Sequence, residues 1–483
     1  MINIRIILKL LGSLLIIEGI FMLLTIPVSS FYEENSLLFD LSVSSGISLI
    51  SGIVLWIANR KAESKLGKRE GYIIVALSWI VFSFFGCIPF LLTGSIPVFT
   101  DAIFETISGF TTTGASILND IESLPRGILF WRSIIQWLGG MGIIVLSLAV
   151  LPILNIGGMS LFVAEVPGLT PDKLHPRIKE TAKRLWGIYL FYTMSEAFLL
   201  WLGGMDLFDS ICHSFTTMAT GGYSTKQDSI AHFDSPFIHY VITIFMFLAG
   251  LNFALSYFAM KFNFKKVFEN EELRYYIGFI VLFTLIISIG LYLIDGKNAE
   301  NSFREALFQV VSILTTTGFA TSDYLNWTPF LWLLLFFIMF IGGSAGSTGG
   351  GIKVVRIVLL FKNSFTELKR LLHRSAVIPV LLNKQSISTE VTNNVIAFII
   401  FYLIILALSV IIMSFMGLDF ESSFGAVAAS LGNIGPGIGS VGPSENFAHI
   451  PVFGKWFLSF LMLLGRLELF TILILFTPDF WRK

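Results

Sequence analysis

The chain repeats one short polar segment four times, each copy between a short apolar run and one of membrane-spanning length. Threonine and glycine dominate the copies, which lie about a hundred residues apart, a spacing typical of an internal repeat. The four polar segments are Thr111–Gly114, Ala219–Gly222, Thr315–Gly318 and Gly432–Gly435. Fourfold repetition of a backbone-rich segment between membrane helices is what an ion pore requires.

The composition places the chain in a lipid membrane. Residues of the set AVILMFWYC make up 55% of the 483 residues and charged residues only 13%, about half the charged share of a soluble domain. Many apolar runs of about twenty residues then predict an all-α polytopic membrane protein. The formal net charge is zero, so the chain has no global field to attract nucleic acid, and we expect no nucleic-acid partner.

Ten apolar runs are long enough to cross a bilayer, and four shorter runs lie among them. The predicted spans are Ile6–Val28, Leu38–Ala58, Tyr72–Leu92, Ile128–Leu151, Leu185–Leu202, Phe237–Phe258, Tyr276–Ile294, Phe330–Phe361, Val395–Phe415 and Trp456–Phe476. The shorter runs are Asp101–Phe110, Asp209–Met218, Glu305–Leu314 and Ser422–Leu431. Each shorter run has room for about three helical turns, roughly half a bilayer.

These runs predict an N-terminal two-helix hairpin followed by four pore repeats around one pore. Each repeat consists of a helix, a re-entrant half-helix, a polar segment and a second helix. The predicted units are the hairpin at 1–69 and the repeats at 70–152, 153–262, 263–362 and 363–483. The second repeat includes a long inner linker, from about Pro152 to Arg184, and the stretch Lys362–Thr392 is the second long inner connection.

Basic residues set the orientation. With ten spans, the basic clusters fall on one side of the membrane, which the positive-inside rule makes cytoplasmic, and both termini fall there too. The clusters are Arg5 and Lys9; Arg60, Lys61, Lys65, Lys68 and Arg69; Lys173, Arg177, Lys179, Lys183 and Arg184; Lys261, Lys265, Lys266 and Arg274; Lys362, Lys369, Arg370, Arg374 and Lys384; and Arg482 with Lys483.

The polar segments suit the selection of a cation by backbone carbonyls. Backbone that leaves helical geometry at membrane depth exposes carbonyls, which can replace the water shell of a dehydrated cation. Each half-helix would point its partially negative C-terminal end at the pore centre. The four segments contain no Asp or Glu, so a ring of carboxylates is excluded. A single TTTG could equally be a helix-packing motif, but four copies at the ends of half-length runs favour a filter.

Six motifs resemble the Trk/Ktr/HKT superfamily of potassium transporters, and in particular its TrkH-type membrane subunits. They are FTTTGAS (Phe110–Ser116), TTMATGGYST (Thr216–Thr225), LTTTGFAT (Leu314–Thr321), GNIGPGIG (Gly432–Gly439), IGGSAGSTGGGIK (Ile341–Lys353) and LLGRLELF (Leu463–Phe470). The resemblance covers essentially the whole chain. It implies K⁺ as the transported ion, a homodimer with one pore per chain, a bacterial inner membrane, and a cytosolic nucleotide-binding regulatory ring of the TrkA type.

The resemblance also implies which residues form the filter. Gly114, Gly222, Gly318 and Gly435 would line it. The neighbouring coordination layer would come from Thr112, Thr113, Thr220, Gly221, Thr316, Thr317, Asn433 and Ile434. The second segment leaves two registers open, because counting from Asp101 and Asp209 aligns Gly222 with Gly114, whereas the Thr-Gly step alone would choose Gly221. The segments differ from the TVGYG of tetrameric potassium channels, so looser K⁺/Na⁺ discrimination is compatible with the sequence.

The eighth span contains six glycines in ten residues, which makes an uninterrupted helix unfavourable. The stretch is Gly342, Gly343, Ser344, Ala345, Gly346, Ser347, Thr348, Gly349, Gly350 and Gly351. Irregular backbone at this depth is tolerated where it is buried in protein or lines water. We interpret it as a gate loop below the filter. The alternative is a glycine-rich face for close helix packing.

Arg466 lies in the tenth span, where a charge is costly unless it faces an aqueous cavity or a carboxylate. We interpret it as a positive barrier beneath the filter, which cations pass only when something moves. Glu468 lies on a different helix face, so direct neutralisation is not expected. The alternative interpretation is a structural ion pair with another helix, for instance with Glu196 or Asp40.

Three classes of function compete. The first is K⁺ uptake driven by the membrane potential, since no Gly-Lys-Ser/Thr phosphate motif is present to use ATP. The alternative is an H⁺- or Na⁺-coupled potassium symporter, whose candidate carboxylates Glu18, Asp40 and Glu196 lie outside the polar segments. An enzyme is not expected, because the sequence offers no convincing catalytic or metal constellation, and no organic cofactor is expected.

Overall fold

The computed structural model describes residues 2–62, 67–142, 178–373 and 376–482. Within these ranges the chain consists of helices, turns and loops, apart from one short antiparallel pair of strands. The prediction of an all-α polytopic fold is therefore confirmed.

The chain begins with the predicted hairpin. Helix α1 (Ile4–Leu23) continues as α2 (Thr25–Phe31) and is followed by α3 (Leu38–Ala58). Helices α1 and α3 cross where glycine faces glycine, because a Cβ added to Gly12 would lie 2.7 Å from the carbonyl oxygen of Gly52. The two small residues thus let the backbones touch, as in other membrane helix pairs.

Four repeats follow, each with an entry helix, a short helix, a polar segment and an exit helix. The entry helices are α4 (Lys68–Gly86) with its continuation α5 (Ile88–Leu92), then α8 (Ile178–Leu202), α13 (Glu271–Leu293) and α17 (Thr389–Phe415). The short helices are α6 (Phe99–Phe110), α9 (Leu207–Met218), α14 (Ala299–Leu314) and α18 (Phe420–Gly432). The exit helices begin with α7 (Arg126–Trp137), α10 (Pro236–Ala249), α15 (Pro329–Ile338) and α19 (Val452–Arg466).

The short helices form the core of the molecule. In α6, every residue from Ala102 to Phe110 is buried, so this helix is surrounded on all faces. Short helices α9 and α18 are also buried along most of their length. They occupy the middle of the molecule, while the entry helices expose many large apolar side chains, such as Leu285 and Ile411, where lipid would lie.

Each exit helix is interrupted near its middle. Helix α7 passes into a π-helical turn at Leu138–Gly142. Helix α10 meets α11 (Phe253–Met260) at an angle of 108°. Helix α15 gives way to the glycine-rich stretch before α16 (Val354–Leu372). Helix α19 is bent by 107° from the helical stretch Phe470–Phe476, which begins with α20 (Phe470–Leu473).

The sequence predicted an interruption in one exit helix, the third. The stretches Phe237–Phe258 and Trp456–Phe476 were expected to be uninterrupted, and this is wrong because each contains a sharp bend. The backbone carbonyl of Gly250 accepts a hydrogen bond from Ser344 N instead of continuing the helix, and the Asn252 side chain caps the start of α11. In the fourth repeat, helix α19 ends at Arg466, and the two residues before α20, Glu468 (φ 54°) and Leu469 (φ 52°), have left-handed backbone. The predicted span Ile128–Leu151 lies partly outside the described residues.

Six helical stretches in the described residues are long and apolar enough to cross a membrane, or eight if each of the two bent pairs is one span. The protein is therefore a multi-pass membrane protein, and the count of ten spans stays a prediction.

Several residues from distant parts of the chain meet at one end of the helices. Asn3 donates its N–H to Glu70 Oε1 at 3.1 Å, and Arg69 donates to the carbonyl oxygen of Arg482 at 2.6 Å. Both ends of the chain thus lie on the same side of the molecule. The remaining elements are α12 (Phe264–Glu269), β1 (Val380–Leu382), β2 (Gln385–Ile387) and α21 (Pro478–Trp481).

Candidate functional site

Side-chain caps start three of the short helices at their outer ends. Asp206, Asn298 and Asp419 each accept a hydrogen bond from the backbone N–H three residues later, and this satisfies a donor that the helix leaves free. Hydrogen bonds from the hydroxyl and then the backbone N–H of Ser422 hold the pKa of Asp419 below its usual value. Asp419 is thus an anionic cap at the positive end of α18.

All four polar segments leave their short helix by the same turn. The second residue of each segment has left-handed backbone, although only one of the four is of a type that favours it. These residues are Thr112 (φ 52°), Thr220 (φ 52°), Thr316 (φ 61°) and Asn433 (φ 53°). In each case the next N–H returns to the carbonyl five residues earlier, at 2.8 to 2.9 Å, as in a helix-ending Schellman motif. Threonine is strained in this conformation, and strain of this kind is concentrated at functional sites.

The last residue of each segment decides the register that the sequence left open. Gly114, Gly222 and Gly318 have φ of 85°, 75° and 85°, so Gly222, and not Gly221, stands at the position of Gly114. Gly435 occupies the equivalent place in the fourth segment without a positive φ. A glycine is required at the first three positions, because other residues rarely adopt this conformation.

The four segments touch one another. A Cβ added to any of the last glycines would collide with backbone atoms of another repeat, which no rotamer change can relieve. The added Cβ would lie 2.2 Å from Gly221 O for Gly114, 2.1 Å from Thr317 O for Gly222, 2.8 Å from Gly435 N for Gly318, and 3.0 Å from Gly114 O for Gly435. The segments therefore form a closed ring of close-packed backbone.

A second set of contacts, made of hydrogen bonds, joins successive repeats just beyond the polar segments. Each of them joins the stretch that follows one polar segment to the stretch that follows the next, or to an exit helix. They are Arg132 Nη1 to Ser224 O (3.0 Å), Ala231 N to Ala320 O (3.0 Å), Tyr324 Oη to Gly437 O (2.7 Å) and Phe447 N to Ser116 O (2.8 Å). The fold thus holds four chain-distant segments around one axis.

A buried ion pair that the sequence reasoning missed supports the first two repeats. Arg132 in α7 lies 2.8 Å from Glu105 in α6, and both side chains are almost completely buried. Arg132 also stacks on Tyr223, with its guanidinium carbon 3.9 Å from the ring centroid. The available signal was one charge in each of two neighbouring apolar runs, because such charges are expensive unless they meet.

Side-chain oxygens form a second layer behind the carbonyls. Thr111 and Thr113 hydroxyls are 2.8 Å apart, and those of Thr315 and Thr317 are also 2.8 Å apart. Asn433 donates through Nδ2 to Thr113 Oγ1 at 3.0 Å. In the described part of the chain, the buried oxygens Thr112 Oγ1 and Asn433 Oδ1 have no hydrogen-bond partner. Both are acceptors that a cation could satisfy.

The glycine-rich stretch lies directly beneath this ring and is not helical. Gly350 donates its N–H to Thr316 Oγ1 at 2.6 Å, and the Thr348 hydroxyl donates to the carbonyl of Met218 at 3.1 Å. A Cβ at Gly350 would lie 2.5 Å from the carbonyl oxygen of Gly432. The loop therefore packs against the bases of the second, third and fourth polar segments, and its glycines are needed for that close approach.

Arg466 is held by backbone carbonyls. Its guanidinium donates to Thr348 O at 2.7 Å, Gly139 O at 2.6 Å and Gly140 O at 2.8 Å. It thus links the glycine-rich loop to the π-helical turn of the first exit helix. Glu196, the partner considered from sequence, has a buried carboxylate without a hydrogen bond in the described residues.

Two further basic residues lie just inside the loop, and sequence reasoning missed both. Lys353, with a φ of 82°, donates to the carbonyl of Gly349. Arg356 at the start of α16 forms an ion pair with Glu468. The carboxylate of Glu468, in the fourth repeat, is thus engaged by an arginine of the third. The third and fourth repeats are therefore joined beneath the loop.

Known proteins match this chain over most of its length. The family model described as "TrkH: Cation transport protein" matches residues 43–483. The chain belongs to the TrkH family. A TrkH-family relative from Escherichia coli K12, named Trk system potassium uptake protein TrkH, is 45% identical over 90% of this chain and 91% of its own length.

Two further TrkH-family proteins match along the whole chain. The Trk system potassium uptake protein TrkH of Halomonas elongata is 40% identical and covers 100% of both chains. The crystal structure of the potassium transporter TrkH from Vibrio parahaemolyticus has the same fold, with a TM-score of 0.90 and 40% identity, and covers 100% of both chains. The resemblance stated from the motifs is thus confirmed.

Some predicted features lie outside the described residues. These are most of the inner linker Pro152–Arg184 and, in the fourth basic cluster, Arg374. The exposed side chain of Lys369 and the half-buried one of Arg370 are described. Arg370 already donates through Nε to the carbonyl of Ile378 at 3.1 Å, so its charge is used within the chain.

Proposed function

We propose that the protein takes up K⁺ across a bacterial inner membrane, through a filter of backbone carbonyls formed by the four polar segments. The observation that carries this proposal is the ring in which Gly114, Gly222, Gly318 and Gly435 touch around one axis. The relatives named as potassium uptake proteins support K⁺ as the ion. In this proposal the carbonyls replace the hydration shell, and the threonine hydroxyls and the Asn433 amide form the neighbouring layer.

The membrane potential supplies the driving force. A potential of 100 mV is worth about 2.3 kcal/mol per unit charge, enough to hold about a fiftyfold gradient. The chain needs no coupled chemistry for such uptake, and its role is to select the ion and to open or close the path.

The glycine-rich loop acts as the gate, with Arg466 as its latch. Thr348 accepts a hydrogen bond from Arg466 and donates one to Met218, so the loop is fastened on two sides of the axis. A guanidinium below the filter also repels a cation that leaves it. Conduction then requires the loop and Arg466 to separate.

The gate is under the control of a cytosolic nucleotide-binding ring of the TrkA type, and the chain forms a homodimer with one pore in each copy. Both termini lie in the cytoplasm in this proposal. The meeting of Asn3 with Glu70 and of Arg69 with Arg482 at one end of the helices supports it, because an even number of crossings brings both ends to one side.

The ring would dock on the exposed basic residues of the second inner connection. Lys369 near the end of α16 and Lys384 in the turn between the two strands are both exposed. We expect Lys369→Glu with Lys384→Glu to reduce co-purification with the ring at moderate salt, while Lys369→Arg with Lys384→Arg leaves it unchanged. Equal binding by both pairs would exclude this docking surface.

The filter assignment is tested by Gly318→Ser. The φ of 85° and the contact with Gly435 N leave no room for a side chain, so the K⁺/Na⁺ permeability ratio should fall before folding is lost. Reversal potentials of the purified chain in K⁺/Na⁺ mixtures measure it, and Gly94→Ser, at a positive φ with open space around it, is the control. An unchanged ratio in the Gly318 variant would remove the proposal.

The alternative is an H⁺- or Na⁺-coupled symporter. Glu18 and Glu196 favour it, because both carboxylates are fully buried within membrane helices and have no hydrogen-bond partner in the described residues. Coupling would move the reversal potential with a pH or Na⁺ gradient at fixed K⁺. Uptake through a pore follows the K⁺ gradient and the membrane potential alone.

A further inference from the structure

Gln136 is a polar residue at a buried position where the other three exit helices have an apolar residue. Each polar segment is followed 25 to 30 residues later by a glycine of the exit helix, at Gly140, Gly250, Gly343 and Gly465. The residues four positions before these glycines are Gln136, Met246, Met339 and Leu461. All four side chains are buried, but only the first is polar. A buried amide destabilises the fold unless its donor and acceptor are both hydrogen-bonded, so Gln136 needs partners that the other three positions do not.

Both partners of Gln136 lie in the second polar segment and its continuation. Nε2 of Gln136 donates to the carbonyl of Gly221 at 2.7 Å, and Oε1 accepts from the backbone N–H of Tyr223 at 3.1 Å. The amide therefore brackets Gly222, whose backbone is left-handed with a φ of 75°. A side chain from the first repeat thus fixes the peptide groups on both sides of the key glycine of the second.

The second segment lacks the support that two other segments carry themselves. In the first and third segments, a pair of threonine hydroxyls 2.8 Å apart joins the first and third residues. The corresponding residues of the second segment are Ala219 and Gly221, which have no hydroxyl. A Cβ at Gly221 would lie 2.4 Å from Cδ of Gln136, so the amide occupies the place of the missing side chain.

We propose that Gln136 is a positioning residue that sets ion discrimination at Gly222, and that it replaces from the neighbouring repeat the hydroxyl pair absent from the second segment. The inference rests on the proposed function of the segments as a filter. It also explains why the third residue of the second segment, Gly221, is a glycine. A side chain at that position would collide with the Gln136 amide, which holds the backbone of this segment.

The first test removes the amide and keeps its size. Gln136→Met reproduces the residue at the equivalent position of the second exit helix, Met246, and should lower the K⁺/Na⁺ permeability ratio by about three- to tenfold, the equivalent of one buried hydrogen bond. Gln136→Glu keeps the acceptor for Tyr223 but loses the donor to Gly221, and should lower the ratio as well. Met246→Leu is the matched control and should leave it unchanged.

The second test introduces the threonine pair of the third segment into the second segment. Gln136→Met with Ala219→Thr and Gly221→Thr reproduces Met246, Thr315 and Thr317 around Gly222. The backbone of Gly221 is not left-handed, so it accepts threonine once the amide is gone. We expect the triple variant to recover the wild-type ratio to within about twofold, whereas Gly221→Thr alone collides with Gln136 and reduces the yield of folded protein.

All ratios come from reversal potentials of the full chain in liposomes, normalised to folded protein by size-exclusion chromatography. A Gln136→Met protein with the wild-type ratio, or a triple variant with a low ratio, overturns the inference. If Gln136→Met does not fold, the triple variant decides, because a folded and selective protein supports the inference and an unfolded one contradicts it. Gly318→Ser distinguishes the proposed filter from the proposed role of Gln136. If Gly318→Ser lowers the K⁺/Na⁺ ratio and Gln136→Met does not, the filter proposal is retained and the role of Gln136 is rejected.

Discussion

The four polar segments share one backbone conformation, but the four exit helices that follow them do not share one kind of break. The segments have the same left-handed second residue, with φ between 52° and 61°. The exit helices break at a π-helical turn, at bends of 108° and 107°, and at the glycine-rich loop. The ring of polar segments is thus nearly fourfold symmetric, and the set of exit-helix breaks is not.

This difference follows from what the ring and the breaks would each do. A spherical ion is best surrounded by equivalent ligands from all sides, so four like segments suit selection. A gate needs one element that moves against others that stay, and identical breaks would leave no such distinction. In this chain the loop is the irregular element, and Gly250, Met218 and Arg466 from other repeats are its supports.

The largest expected effect breaks the symmetric ring. Gly222→Ala places a Cβ 2.1 Å from the carbonyl of Thr317 on a backbone with a φ of 75°, so the ring must open. We expect K⁺-limited growth to be lost and the K⁺ flux of the folded protein to fall by more than about a hundredfold, since several kcal/mol of strain act at one point. Flux into liposomes measures it.

The control keeps the strain and removes the collision. Gly204→Ala has a φ of 96° with nothing within 4 Å of the added Cβ, so it shares the unfavourable backbone conformation alone. Near-normal flux in this variant with lost flux in Gly222→Ala would assign the effect to the ring. Normal flux in both would contradict the close-packed ring.

The second expected effect concerns the exit-helix breaks. Arg466→Ala removes the hydrogen bonds that hold Thr348 and the π-helical turn together, and it removes a positive charge from the path. K⁺ flux without a cytosolic partner should rise, by about tenfold if the latch is worth an ordinary charge-assisted pair of bonds. Arg482→Ala, at an exposed arginine, should change nothing.

A double variant sharpens this test. Thr348→Val loses the hydroxyl bonds to Met218 and Ala249 and should also raise flux. With Arg466→Ala it should give less than the product of the two increases, because both changes relieve one barrier. A decrease in flux with Arg466→Ala, normalised to folded protein, would show that Arg466 is a structural residue and not a latch.

The same contrast explains what the sequence could predict. The four polar segments could be found from the sequence, because their residues recur in order and each segment ends a half-length run. The bounds of a long apolar helix could be predicted too, since α3, Leu38–Ala58, agrees with the predicted span. The break of the second exit helix at Gly250 could not be predicted, because the carbonyl of Gly250 accepts from Ser344 N, a partner that only the fold brings near. Gln136 and Arg356 were missed for the same reason: a single polar residue in an apolar run does not reveal which distant backbone it meets.

The third expected effect tests the link between two breaks. Arg356 and Glu468 pair across the third and fourth repeats, and Arg356 also stacks on Phe398, with its guanidinium carbon 4.1 Å from the ring centroid. Glu468→Gln removes this ion pair, and breaking a buried pair costs about 3 kcal/mol or more. We expect the Glu468→Gln protein to have a lower melting temperature than the wild type, and thermal unfolding of the purified chain measures it.

Exchange of the two charges is the matched control. Arg356→Glu with Glu468→Arg restores opposite charges but not the stacking on Phe398, so stability should recover in part. No recovery relative to Glu468→Gln would mean that the ion pair itself does not join the two repeats.

The smallest expected effect asks whether the first and third segments are truly equivalent. Thr111→Val and Thr315→Val each remove one hydroxyl that bonds to a helix carbonyl and to the next threonine, at 2.6 and 2.8 Å in the first segment and 2.8 and 2.8 Å in the third. Valine keeps the shape, so each variant should fold and lower the K⁺/Na⁺ ratio by about threefold, and by the same amount. The hydroxyl pair of the first segment also receives a hydrogen bond from Asn433, at Thr113, and this bond could hold Thr113 in place when Thr111 is replaced. The K⁺/Na⁺ permeability ratios of the two variants are obtained from reversal potentials. A difference of more than about threefold between these ratios would show that the fourth segment supports the first, and that the ring is symmetric in its backbone but not in its energetics.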